Sequence, residues 1–173
     1  MEENTSVQGV SRVKNINPNF AAIKVLFADI GVSTALGFIV GLFLGAAKFT
    51  AEDVANNPFL PIIGLLVSVY LAYVLYRRYS TELSALITLL VAAAVWVLLG
   101  VYVSATNTEG YNFFKELLFA AAQIVAYVVG WYLAKTTSMS LYIPKEGWIT
   151  GGSILGGIVV LLSLLGMVAL VSA

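Results

Sequence analysis

Very few side chains in this 173-residue chain could carry out acid–base or metal chemistry. The sequence contains no His and no Cys, which excludes thiolate catalysis, iron–sulfur clusters and zinc or haem sites built on these ligands. It also contains no G-x-S-x-G nucleophile motif and no pair of acidic residues in two apolar segments. We therefore expect a protein that is not an enzyme and that has no cofactor and no metal site.

Asp29 is the one ionisable residue that the sequence places inside a long apolar segment. A carboxylate in hydrocarbon costs several kcal/mol unless it is paired or protonated, so such a residue is a functional candidate by default. We expect a structural ion pair or an interfacial anchor, with Arg77 or Arg78 within reach of the carboxylate. A proton-binding or cation-binding role and a contact to a partner subunit are the alternatives.

Gln123 is a second polar residue in apolar surroundings, and Tyr127 and Trp131 follow it at steps of four. An amide at this depth usually hydrogen-bonds to another helix. The sequence offers Thr88 and Ser68 as partners, and a contact to a ligand is the alternative.

Arg77 and Arg78 follow a strip of tyrosines near the end of an apolar segment. Basic groups at the cytoplasmic surface attract anionic lipid, so these two residues are candidates for binding lipid headgroups. Ordinary anchoring at the membrane interface is the alternative interpretation.

Small residues recur every four positions after Asp29, namely Ser33, Gly37, Gly41 and Gly45. Residues four apart share a helix face, and small faces allow the close backbone approach that holds helices together in lipid. Three interpretations remain open: packing within one bundle, docking of another subunit, or a path for a substrate. Two further helix-packing faces are predicted, and their residues are Ala122, Ala126 and Gly130 in one segment and Gly152 and Gly156 in another.

The overall composition shows where these residues must lie. Sixty per cent of the residues are hydrophobic and 10% are charged, against about 25% charged in soluble domains. This excludes a soluble globule, a disordered chain and a nucleic-acid binder. A helix needs about 20 apolar residues to cross a bilayer, and the chain contains five apolar runs of about this length. These runs predict an all-α bundle of five membrane spans, at about 20–47, 58–76, 83–104, 114–134 and 148–171.

The basic residues predict an orientation for these spans. Seven of the nine lie in the arm 1–17, at Lys24 or in the loops after the second and fourth spans, and Lys48 and Lys115 lie on the other side. The positive-inside rule then places the N-terminus in the cytoplasm and the C-terminus outside. The arm is polar, without an apolar run, so we expect no cleavable signal peptide. The expected location is the cell membrane.

These observations favour a non-catalytic multi-pass subunit that packs with other membrane helices in a larger assembly. The expected partners are membrane lipids and other membrane-protein subunits, in a homo- or hetero-oligomer, and not nucleic acid. The alternative is a small transporter or channel, or a membrane component of a transport system, that uses Asp29 and Gln123.

Overall fold

The computed structural model describes residues 16–46, 59–107, 113–137 and 141–171. Within these ranges the regular structure is helical, without strands, and it forms five long helices. They are α1 (Pro18–Ala46), α2 (Phe59–Val74, continued by a π-helical turn at Leu75–Tyr79), α3 (Leu83–Asn107), α4 (Phe113–Thr136) and α5 (Glu146–Val171). All five helices are long and apolar enough to cross a membrane, which confirms the prediction of an all-α chain. Most of the predicted N-terminal arm lies outside the described residues.

The ends of two helices show why the chain folds this way locally. At the start of α1, the Asn17 side chain accepts hydrogen bonds from the backbone N–H of Asn19 (2.9 Å) and Phe20 (3.4 Å), as a helix N-cap does. Pro18, which has no N–H to leave unpaired, takes the first helical position. The α2 end widens into the π-helical turn, where the Ser80 N–H donates to the Leu75 carbonyl at 3.0 Å.

Helix α1 is the centre of the packing. It packs against α5 on one side and against α3 and α2 on the other, while α4 packs against α2 and α3. Residues from four helices, including Val25, Leu75, Leu89 and Tyr127, are fully buried where α1 to α4 meet. Helix α5 is therefore attached to the outside of this four-helix group, chiefly through α1.

Large apolar side chains face outward along the helices. Phe38, Phe43, Leu118 and Leu162 are each more than half exposed. A soluble monomer rarely presents so much contiguous apolar surface, whereas helices that contact lipid or another membrane helix do. The exposed apolar side chains thus agree with the hydrophobic composition of the chain.

Candidate functional site: a buried carboxylate and the helix contacts around it

Asp29 is almost completely buried, with 1% of its surface exposed, and its carboxyl group accepts hydrogen bonds from three hydroxyls. Ser33 of α1 donates to Oδ1 at 3.1 Å, Ser68 of α2 donates to Oδ2 at 2.6 Å, and Tyr127 of α4 donates to Oδ2 at 2.5 Å. We call these four residues the Asp29 cluster. Because its members come from three helices, the cluster joins α1, α2 and α4 at one point.

The expected ion pair between Asp29 and an arginine is not present. Arg78 bonds instead to Glu146 and to the Pro144 carbonyl, and Arg77 donates to the Thr137 carbonyl. Both arginines lie in the π-helical turn at the end of α2, whereas Asp29 faces Ser68 further back along that helix. The carboxyl group is thus solvated by hydroxyls, and the ion pairs among the described residues, Lys24–Glu146 and Arg78–Glu146, do not include it.

Gln123 lies one helical turn before Tyr127 and interacts with the hydroxyl of that tyrosine. The two partners that the sequence offered are engaged elsewhere, since Thr88 donates to Asn19 at 2.9 Å and Ser68 donates to Asp29. Gln123 also lines a cavity of about 210 Å³ between α3 and α4, together with Trp96, Gly100, Val101 and Phe119 among others.

Glu146, at the first position of α5, gathers three donors at the end of the bundle where α1 begins. Its carboxylate accepts from Lys24 Nζ, from Arg78 Nε at 3.1 Å and from the Tyr79 hydroxyl at 2.6 Å. The side chain of Glu146 is 37% exposed. Glu146 therefore joins α1, the π-helical turn and α5 in one partly exposed network.

Sequence reasoning did not single out Glu146, although a signal was available. It is the only acidic residue after Glu116, and it stands at a helix N-terminus, where negative charge is favoured. The side on which it was predicted to lie carries most of the basic residues of the chain, so a shared carboxylate there was a reasonable expectation.

The segment before α5 is held by the end of α2. The Arg77 Nη2 donates to the Thr137 carbonyl at 2.5 Å, and its guanidinium lies 5.5 Å from the centre of the Tyr73 ring. The Tyr70 hydroxyl donates to the Tyr142 carbonyl at 2.6 Å, and the Leu141 N–H donates to the Tyr73 hydroxyl at 3.2 Å. Binding of lipid headgroups by Arg77 and Arg78 stays a prediction, and in the structure each guanidinium bonds to protein acceptors.

Helices α1 and α5 approach each other through glycine. A Cβ added at Gly156 would lie 1.8 Å from the Phe27 carbonyl oxygen, and one added at Gly31 would lie 2.2 Å from the Gly152 carbonyl oxygen. The Ser153 hydroxyl is 2.7 Å from the Lys24 carbonyl and can donate to it across this contact. Gly152 and Gly156 thus lie at a close helix contact, with Gly31, which falls outside the predicted series of small residues.

The predicted small face of α4 also meets a helix. A Cβ at Gly130 would lie 2.0 Å from the Val69 carbonyl oxygen of α2. Ala126 is buried, and Ala122, one turn earlier, is half-buried. This contact brings α4 close enough to α2 for Tyr127 to reach Asp29 beside Ser68.

The glycines of the predicted α1 stripe have no close neighbour on another described helix. A Cβ added at Gly37, Gly41 or Gly45 would have no contact within 4 Å apart from the neighbouring backbone of α1 itself, as far as the described residues show. Ser33, at the start of the series, turns its hydroxyl to Asp29. Packing of this face inside the bundle, one of the three interpretations above, is therefore not what the described part of the chain shows.

Comparison of the chain with protein-family models, with curated proteins and with solved structures finds no match.

Proposed function

We propose that this protein is a non-catalytic, multi-pass subunit of a larger membrane assembly, and that it packs another membrane helix against the face of Gly37, Gly41 and Gly45. In this proposal the five helices span the cell membrane with the N-terminus in the cytoplasm. The seven-to-two distribution of basic residues supports that orientation.

The contrast between glycines that are covered and glycines that are open supports this proposal. At Gly31, Gly130 and Gly156 a neighbouring helix backbone fills the space that a side chain would occupy. At Gly37, Gly41 and Gly45 the same kind of surface is present with no such neighbour among the described residues. In lipid, where no hydrophobic effect drives helices together, a flat small face stabilises association by close backbone contact.

The test is to measure the mass of the particle that carries this protein after gentle detergent extraction at native expression. We expect a particle heavier than the monomer, and we expect the Gly41→Ile variant to shift toward monomer because a large side chain prevents close approach. Ile39→Phe is the matched control, since Ile39 points away from the stripe on the same helix and is 47% exposed.

Three results would contradict the proposal. A wild-type particle of monomer mass would exclude a stable assembly. Equal particle masses for wild type and Gly41→Ile would exclude this face as the contact. An equal loss of particle mass in Gly41→Ile and in Ile39→Phe would show that added bulk anywhere on α1 has this effect, and not bulk at the glycine face alone.

Orientation can be tested with single cysteines, because the chain has no native Cys. We expect a thiol reagent that does not cross membranes to label Lys48→Cys in intact cells. Lys145→Cys should be labelled only after the membrane is opened. The reverse pattern would overturn the proposed orientation.

A transport role is the second candidate, and the buried Asp29 is the observation that favours it, because intramembrane carboxylates often mark ion pathways. Flux in vesicles that contain the purified protein, compared between wild type and Asp29→Asn, tests this role. If Asp29→Asn kept the full flux of wild type, the carboxylate would have no role in coupling transport.

A further inference from the structure

We propose that the Asp29 cluster is a proton-binding site within the bundle, in which Ser68 changes its hydrogen-bonding role when the carboxyl group gains or loses a proton. This proposal does not depend on the partner helix at the α1 glycine face. It concerns the covered part of α1, where the carboxyl group meets hydroxyls and no cation.

The ion pairs among the described residues leave Asp29 without a cationic partner. Lys24, the nearest basic residue of α1, is paired with Glu146 of α5, and Arg77 and Arg78 of α2 bond to Thr137, Glu146 and Pro144. Helix α3 contains no Lys, Arg, Asp or Glu, and α4 presents the Tyr127 hydroxyl to the carboxyl group. A buried carboxylate without a cationic partner is costly, and uptake of a proton removes that cost.

The Ser68 hydroxyl has one hydrogen and lies within bonding distance of two acceptors. Its oxygen is 2.6 Å from Asp29 Oδ2 and 3.2 Å from the Gly64 carbonyl oxygen. When Asp29 is ionised, Ser68 donates to the carboxylate. When Asp29 takes up a proton, the new O–H donates to the Ser68 oxygen, and Ser68 donates to Gly64 instead.

Both protonation states therefore keep their hydrogen bonds without any movement of the helices. Tyr127 and Ser33 continue to donate to the carboxyl oxygens in each state. A hydroxyl that both donates and accepts is what makes this possible. The only net change is one proton added to Asp29, and this proton is taken from water. The cavity beside Gln123 lies one helical turn from Tyr127 along α4.

Infrared difference spectroscopy of the full-length protein in lipid nanodiscs tests the proposal between about pH 5 and pH 10, a range in which a solvent-exposed aspartate stays ionised. The chain has only two aspartates, Asp29 and Asp53, so labelling with ¹³C-aspartate restricts the isotope-shifted bands to these two residues. We expect a carboxylic-acid carbonyl band that gives way to a carboxylate band as the pH rises. The change should persist in Asp53→Asn and be absent from Asp29→Asn.

A second variant separates the proton site from a merely structural carboxyl group. In Ser68→Ala the acid loses its acceptor, so we expect its carbonyl band to move to higher frequency and the pH of the transition to change. Because wild type and Asp53→Asn both carry the signal, the test does not depend on the folding of Asp29→Asn. A carboxylate band that is unchanged over the whole pH range, or an acid band that persists in Asp29→Asn, would overturn the proposal.

Discussion

The two halves of α1 carry similar small residues and have opposite surroundings. In the first half, Ala21, Ala22 and Ala28 are buried and Gly31 touches the backbone of α5. In the second half, a Cβ placed on Gly37, Gly41 or Gly45 meets no described residue within 4 Å outside α1, and Phe38 and Phe43 point outward. The comparison shows that small residues allow a close helix contact but do not specify which helix makes it.

Polar contacts distinguish the halves as well. The first half carries Lys24, which reaches Glu146, and Asp29, which reaches Ser68 and Tyr127. After Ser33 the second half of α1 has no charged residue. Directional hydrogen bonds hold α2, α4 and α5 against the first half, and the second half, whose exposed surface is mostly apolar, is suited to lipid or to another helix.

The largest expected effect comes from filling the covered glycine contact. Gly156→Ala should lower the free energy of unfolding by about 3 kcal/mol, because its Cβ would lie 1.8 Å from the Phe27 carbonyl oxygen and the two helices must separate. Denaturant unfolding in mixed micelles measures it. Gly157→Ala is the matched control, since its Cβ meets nothing within 4 Å among the described residues. Equal effects of the two substitutions would show that the α1–α5 contact is not close.

The next effect concerns the Asp29 cluster. Tyr127→Phe should cost about 1–2 kcal/mol, because a buried carboxyl group loses a hydrogen-bond donor that nothing replaces. Tyr132→Phe, on an exposed tyrosine of the same helix, should change stability by less than about 0.5 kcal/mol. Thermal unfolding of wild type, Tyr127→Phe and Tyr132→Phe in the same detergent compares their stabilities. A Tyr127→Phe variant as stable as wild type would contradict a role of the cluster in joining the helices.

A smaller effect is expected at the partly exposed network. Glu146→Gln should cost about 1 kcal/mol at low ionic strength and less at high salt, because Lys24 and Arg78 lose a partner that solvent already screens in part. Glu82→Gln serves as the control, as Glu82 is exposed and its carboxylate accepts a hydrogen bond from nearby Ser84. Unfolding at two salt concentrations measures the difference. A cost that does not change with salt would argue against the ionic contribution.

The smallest expected effect is at the open face of α1. Gly41→Ala should leave the stability of the isolated monomer unchanged or raise it by about 0.5 kcal/mol, because alanine favours a helix and no described residue outside α1 lies within 4 Å of the new methyl group. The same unfolding assay in detergent measures it. A loss comparable to that of Gly156→Ala would show that this half of α1 packs inside the monomer.

Much of the helix pattern could be predicted from the chain. Long apolar runs between charged residues allow little besides membrane-length helices, and Asn17-Pro18 marks the start of α1 by its capping chemistry. The small faces containing Gly130 and Gly156 were also visible as spacings of four. The contact at Gly31 could not be predicted in this way, because it depends on where α1 crosses α5. A single position does not form a periodic pattern.

The partners of the polar residues could not be predicted in the same way. Asp29 was expected to meet an arginine because opposite charges attract, and because the sequence placed Asp29 and the arginines on the same side of the membrane. The π-helical turn at Leu75–Tyr79 and the position of Glu146 direct the arginines to other acceptors. The Ser68 and Tyr127 hydroxyls are neutral and unremarkable in an apolar sequence, so no charge pattern indicated them.

By itself, then, the amino-acid sequence determined that this protein is helical, apolar and poor in groups able to carry out catalysis, because composition and periodicity act along the chain. Only the tertiary structure decided that Asp29 is solvated by three hydroxyls, that Glu146 joins three elements and that, among the described residues, one glycine face is covered while another is open. Those features depend on which helices lie side by side, and contacts between residues as far apart as Asp29 and Tyr127 arise from packing rather than from local spacing.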